Sequence, residues 1–289
     1  MGSRASVGTS ADIKAGVRIS RVHSGYFSNA RNAELFCKIG IDPILTNLPK
    51  KITVFDFGGG EGFLTKRVKE HLASKGYDVN ASVLDANAVY LKIAKSAGLQ
   101  TILSSIQDSK VSSADLIIAR AVIHYNSAER QQAVFNKIFE SLKKGGYFVH
   151  QVSSGSKENC CLRSDILNIK SLGRAAARSE YNWLSEEDCL SMAKKAGFKE
   201  NFVAGYALAN SWSPREQWDR FNKKATDEAK SAGNRTLLDR IEWRKAAYLK
   251  EANRLVEEYA AKHGINGIKK TGEHAYRIEY TYPIFICRK

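Results

Sequence analysis

Residues 52–72 compress a strand, a turn and a helix into a span that leaves little freedom for the rest of the fold. Ile52-Thr53-Val54-Phe55 is a β-rich run, Gly58-Gly59-Gly60-Glu61-Gly62 follows two residues later, and Leu64, Val68 and Leu72 then recur every four residues as on one helical face. Glycines let the backbone turn sharply and approach a ligand, while the first turn of the next helix offers unpaired N–H groups to an anion. A strand feeding a helix in this way opens a parallel, doubly wound sheet, because the chain must cross over before the next strand can pair.

The alternation continues along the chain. Ala81–Leu84 reads as a second strand, Val89, Ile93 and Ala97 stripe a helix that Gly98 stops, and Thr101-Ile102-Leu103 is a third strand. Leu116–Ala119 is a buried central strand, and Val134, Ile138 and Leu142 stripe the next helix, which Gly145-Gly146 ends before Tyr147-Phe148-Val149. Ser185 and Asp188 form a capping box ahead of Leu190, Ala193 and Gly197, and Phe198–Gly205 is a sixth strand. Regularity breaks at Ser213-Pro214-Arg215-Glu216, a helix start from which helical patterning runs to about His263 with an interruption at Gly233. Tyr276–Tyr282 then alternates like a two-faced strand before Pro283–Cys287. The expectation is an α/β fold: a doubly wound, Rossmann-like, seven-stranded sheet with a helical insertion near the C-terminus. It divides into an N-terminal helical cap segment (1–50), the ligand-binding Rossmann-like domain (51–210), the insertion as lid or dimerisation element (211–270) and the last strand (271–289).

A dinucleotide could use the same turn, but its fingerprint wants a third small residue where Phe63 stands. The turn resembles instead the first motif of the class I methyltransferases that use S-adenosylmethionine, an acidic residue two places before Gly-x-Gly-x-Gly, as Asp56 precedes Gly58, Gly60 and Gly62. The resemblance implies that Asp56 and the turn, including Gly59, meet the methionine part of the cofactor. It also implies that Asp85, at the end of the second strand and 23 residues after Gly62, holds the ribose with its neighbour Ala86, and that Ser105 and Ile106 hold adenine. A carboxylate at Asp85 can accept from both ribose hydroxyls. Asp115–Tyr125 resembles the fourth-strand segment of small-molecule and quinone methyltransferases, which implies a cofactor-side place for Arg120. Ala119-Arg120-Ala121-Val122 stands where enzymes that methylate nucleobases or glutamine amides carry an Asn-Pro-Pro-Tyr type motif. The motifs cover roughly residues 51–152; residues 183–205 and 276–289 follow the family only in pattern.

Methyl transfer from a sulfonium needs mainly positioning, with a base only where the acceptor must lose a proton. His124, Tyr125 and His150 are the catalytic candidates; the structural reading is the stronger one for His124, and His150 stands at the carboxyl end of the fifth strand, where it faces the usual reaction crevice. Tyr26, in a segment preceding the sheet, and Arg163 are candidate acceptor contacts. Arg163, Lys170, Arg174 and Arg178 favour a carboxylate or phosphate wherever they point inward. Trp183, Trp212, Trp218 and Trp243 read as core packing by default. His23, His71, His263 and His274 lack partners at metal-ligand spacing, so no metal is implied.

The net charge of +15 invites a nucleic-acid reading. It is shared, however, with 20 basic and 12 acidic side chains in residues 1–150 and 25 and 18 in residues 151–289, as on a solvated surface rather than a binding stripe. Five cysteines without zinc spacing suit a reducing, cytoplasmic setting, and no apolar run has membrane-spanning length. Met1-Gly2-Ser3-Arg4-Ala5-Ser6 satisfies the loose myristoylation pattern and equally suits a polar start. The favoured partner is a small-molecule acceptor. An RNA or protein methyltransferase, and a non-catalytic cofactor-binding or homodimerising module, remain as alternatives.

Overall fold

The computed structural model describes residues 27–173, 181–264, 266–272 and 275–289. The expected positions Tyr26, Arg174, Arg178, His23 and His274, and the N-terminal Met-Gly-Ser, lie outside them. The chain enters through α1 (Ala30–Phe36), which continues as a π-turn (Cys37–Ile41) and a 3-10 turn (Asp42–Asn47). The alternating part follows as β1 (Lys51–Phe57), α2 (Phe63–Ser74), β2 (Asp78–Asp85), α3 (Ala88–Ser96), β3 (Gln100–Leu103), β4 (Ala114–Arg120), α4 (Ala128–Ser141) and β5 (Leu142–Gln151). Then come α5 (Lys157–Leu167), α6 (Glu186–Ala196), β6 (Glu200–Trp212), α7 (Pro214–Ser231), α8 (Arg235–His263), β7 (Ile268–Gly272) and β8 (Ala275–Arg288).

The strands form one sheet in the order β3-β2-β1-β4-β5-β8-β6, with β7 paired to β8. β1 to β5 run parallel, and β8 is antiparallel to β5, β6 and β7. The order reverses between β1 and β4, which opens a crevice at the carboxyl ends of those strands. Side-chain alternation sorts the core into two layers. Phe57, Ile117, Phe148 and Phe285 pack with Val134, Phe135 and Ile138 of α4 and with Cys189 and Ala193 of α6. Val54, Leu116, Ile118, Val149 and Ile286 face the other way, onto Phe36 of α1 and Leu64, Val68 and Leu72 of α2.

The expected α/β architecture and the two inserted helices are present, with differences in the last third. The sheet has an eighth strand, β7, whose Ile268-Lys269-Lys270 is too short and too charged to stand out in sequence. β6 does not stop at Gly205 but runs on to Trp212, and β8 is a single 14-residue strand through Pro283. Proline is tolerated there because β5 pairs only from Ile284 onward and the β6 ladder shifts register between Tyr206 and Ala209. The projecting ends of β6 and β8 carry a third core, in which Trp212, Tyr276 and Ile278 meet Trp218 of α7, Tyr248, Ala252 and Val256 of α8, and Leu162 and Ile166 of α5. Both helix starts read from sequence are built as such. Ser185 and Asp188 cap α6 reciprocally, and Ser213 Oγ accepts from Glu216 N at the start of α7. No described helix is long and apolar enough to cross a membrane.

Candidate functional site

The turn after β1 is held by backbone geometry that a side chain would break. Gly58 sits at φ 73°, and a Cβ there would lie 2.3 Å from Val122 Cγ2. Gly62, at φ 79° at the start of α2, would bring a Cβ to 2.4 Å from Leu99 Cδ1. Gly58 N donates to Leu84 O at 2.7 Å, which ties the turn to the end of β2. Phe63, the residue that argued against a dinucleotide, opens α2 and is partly buried against the layer beneath.

Two carboxylates organise this turn. Asp56 is 1% exposed and accepts from Thr65 Oγ1 at 2.7 Å, so it joins the end of β1 to the first turn of α2. Burial pushes its carboxyl up to about 6, against the Thr65 hydrogen bond and the Arg120 charge, which pull it down. Asp85 stands half-buried at the end of β2, where Oδ2 accepts from Gly60 N at 2.9 Å and Oδ1 from Asn87 N at 2.8 Å. Each oxygen keeps a lone pair for a further donor. Ala86 beside it is exposed. Ser105 and Asp108 bond each other, Oγ to Oδ2 at 2.6 Å, as a local turn, and Ile106 points into the core rather than the crevice. Sequence reasoning missed two residues here. Leu103, 62% exposed, lies directly across from Asp85 in the β2–β3 ladder. Glu61, within the turn, has a buried Oε1 without a hydrogen-bond partner, and burial pushes its carboxyl up to about 7. An apolar residue at the carboxyl end of the third strand was the available signal for Leu103; the motif itself contained Glu61.

The end of β4 forms the next wall. Arg120 Nη2 donates to Phe27 O at 2.6 Å and the guanidinium lies 5.6 Å from the Phe27 ring, which in turn meets Tyr282 edge-on. Ala121 follows in the left-handed region at φ 55°, and the chain turns through Ile123–Tyr125. His124 is 4% exposed and its ring stacks on Trp183 at 4.1 Å. Tyr125 is 38% exposed. His150, expected at the strand tip facing the crevice, is not there. β5 continues to Gln151, and residue 150 shares the face of Phe148, so its fully buried ring stacks between Phe148 at 4.6 Å and Phe285 at 4.5 Å. Neither ring nitrogen has a hydrogen-bond partner, and burial pushes the imidazole down to about 3, a core histidine rather than a base.

Beyond β5, Ser153 Oγ accepts from Arg163 Nη2 at 2.9 Å. Arg163, on α5, is 4% exposed, and burial lowers its pKa. Its guanidinium lies over Trp183 at 4.2 Å and Tyr280 at 4.7 Å. Lys170, grouped with it in the sequence, is exposed. Trp183, Trp212 and Tyr280 were not singled out as site residues; Tyr280 and Tyr282 share one face of β8, an aromatic alternation that was the signal available. Among the described residues, no group of His, Cys, Asp and Glu is gathered as a metal site.

Residues 55–148 match the family model described as a methyltransferase domain. Similar folds include a Bacillus halodurans protein solved as a candidate methyltransferase, with 14% identity over 89% of this chain and 98% of that one and a TM-score of 0.58. They also include the YcgJ protein of Bacillus subtilis, with 11% identity over 86% and 96% and a TM-score of 0.55. A third is a candidate sarcosine dimethylglycine methyltransferase from Galdieria sulphuraria, with 15% identity over 90% and 85% and a TM-score of 0.51. No curated protein matches the chain.

Proposed function

We propose that this chain, in which residues 55–148 form a class I methyltransferase domain, moves the methyl group of S-adenosylmethionine to a small-molecule acceptor carrying an acidic group. The observation that carries the reading is the glycine turn locked onto Asp85, whose two oxygens each hold one backbone N–H and keep capacity for a ribose. The residues fit the cofactor. Gly58 and Gly62 hold a tight turn that a Cβ would break against Val122 and Leu99, Leu103 offers an apolar face across from Asp85, and the unpartnered Glu61 oxygen can take a donor from a cationic ligand.

Bound there, S-adenosylmethionine supplies a methyl group already activated on a sulfonium. The chain's part is then to orient and to exclude water. Arg120 and Phe27 close one side of the crevice, while the stacked His124 and Trp183 close another. Tyr125, the most exposed of the three catalytic candidates, is the side chain available to an acceptor hydroxyl; His124 serves as wall. Buried aromatic walls and a buried Arg163 favour a small acceptor over a macromolecule, which would need an open groove lined with cations and rings. All five cysteines are free, which supports a cytoplasmic location.

Titration calorimetry with S-adenosylmethionine and S-adenosylhomocysteine tests the reading. Micromolar binding is expected, weakened about 10- to 100-fold in Asp85→Ala, the equivalent of losing charge-assisted hydrogen bonds worth about 1.5–3 kcal/mol. Failure of both compounds to bind the wild type would sink it.

A further inference from the structure

Arg163, Trp183 and Trp212 gather donors that have no acceptors. Arg163 Nε and Nη1, Trp183 Nε1 and Trp212 Nε1 are all buried and without a hydrogen-bond partner. They belong together, since the guanidinium carbon lies 4.2 Å from the Trp183 ring centre and 5.8 Å from that of Trp212. Buried donors in folded proteins nearly always meet an acceptor, and a buried charge nearly always meets a counter-charge. Among the described residues, the side chains that act electrostatically on Arg163 are Cys160, Tyr280 and Tyr282, with no carboxylate among them. A structural role would leave these groups at a net cost; a ligand that brings acceptors and one negative charge removes it.

The number of donors and the single cation select the ligand. Ser153 Oγ takes one N–H of Nη2. Because Nη2 carries one N–H on each side, a complete two-donor edge of the guanidinium remains whichever of them Ser153 uses. Such an edge matches the two oxygens of a carboxylate. A phosphate dianion would keep an unbalanced charge in a buried place with one cation. Position agrees: Ser153 follows β5 at the carboxyl edge of the sheet, and Trp183, which lies under Arg163, also stacks on His124 at the end of β4.

We infer that Arg163, with the indole N–H groups of Trp183 and Trp212, is the anchor for a single carboxylate on the acceptor. The inference rests on the methyl-transfer reading for what the anchored molecule undergoes, but the anion site can be tested without it. The probes are benzoate, its neutral isostere benzamide and inorganic phosphate. Each is added to the purified full chain with and without S-adenosylhomocysteine, and melting temperature is read for wild type and Arg163→Met. Benzoate is expected to raise the melting temperature of the wild type, benzamide and phosphate to raise it less or not at all, and Arg163→Met to lose the benzoate shift while binding S-adenosylhomocysteine as tightly as wild type. Equal shifts from benzoate and benzamide, a phosphate shift as large as that of benzoate, a benzoate shift that survives in Arg163→Met, or no benzoate shift at all would each overturn the assignment. If the variant does not fold, the wild-type contrast among the three probes decides alone. Binding of S-adenosylhomocysteine without a benzoate shift removes the carboxylate anchor and leaves the methyl-transfer reading standing; a benzoate shift without cofactor binding does the reverse.

Discussion

Around the glycine turn, Asp56 and Asp85 already have partners within the chain, and only Glu61 keeps an unmet oxygen among the turn's carboxylates: Thr65 donates to Asp56, and Gly60 and Asn87 donate to Asp85. Around Arg163 the polar groups are nearly all donors, and most of them are unmet. The first region draws its hydrogen bonds from residues 56–87 and needs no ligand to hold its shape. The second draws on Ser153, Arg163, Trp183, Trp212 and Tyr280, and its hydrogen bonding is incomplete until something enters. A shared reaction can fix the half that binds a common cofactor, while the half that selects the acceptor keeps its unmet donors for the one molecule that completes them.

The contrast is most easily broken at the turn. Gly58→Ala combines a left-handed backbone with a Cβ against Val122, and is expected to cost about 3 kcal/mol from conformational strain and overpacking together, and to abolish cofactor binding. Urea denaturation and calorimetry measure both; a mild loss with binding intact would mean that the turn is not preassembled. A smaller effect sharpens the boundary beneath the acceptor half. The unfolded chain protonates His150 near 6.5, whereas the folded chain resists until about 3, so this residue's stability is present above pH 6.5 and is lost as pH falls toward 3. The slope is about 1.4 kcal/mol per pH unit, or about 2 kcal/mol at pH 5. His150→Phe should flatten that loss, seen as urea midpoints at pH 7 and pH 5 drawing together, and leave S-adenosylhomocysteine affinity unchanged. The smallest change sits where the halves join. Ala121→Gly should stabilise by about 0.5–1 kcal/mol, because glycine relieves the left-handed backbone at the expense of a more flexible unfolded chain. A destabilised Ala121→Gly would show that the methyl group is needed for packing.

Legibility in the sequence followed the same division. Strand, turn and helix over residues 51–74 could be read because glycine placement and four-residue periodicity are local signals, and the start of α7 at Ser213-Pro214 is local in the same sense. Arg163 could be named from its type, but Trp183 and Trp212 read as ordinary core residues, since what makes them unusual is a guanidinium brought over them from another segment. The His150 error had a similar origin. Tyr147-Phe148-Val149 was the legible part of β5, so the next residue looked like its tip, while the pairing of Ala119 with His150 and of Arg120 with Gln151 carries the strand further. β7 escaped because its hydrogen bonds to β8, not its side chains, make it a strand.

The third core has a consequence for how such a chain can change its partners. Leu162 and Ile166 of α5 share that core with Tyr248, Ala252 and Val256 of α8, and α5 also bears Arg163. The glycine turn is built from β1, β2 and α2, none of which contributes to it. Substitutions that retilt or lengthen the helical pair therefore reach the acceptor side through α5, so acceptor choice can be moved between scaffolds of this fold at the helical pair without redrawing the glycine turn.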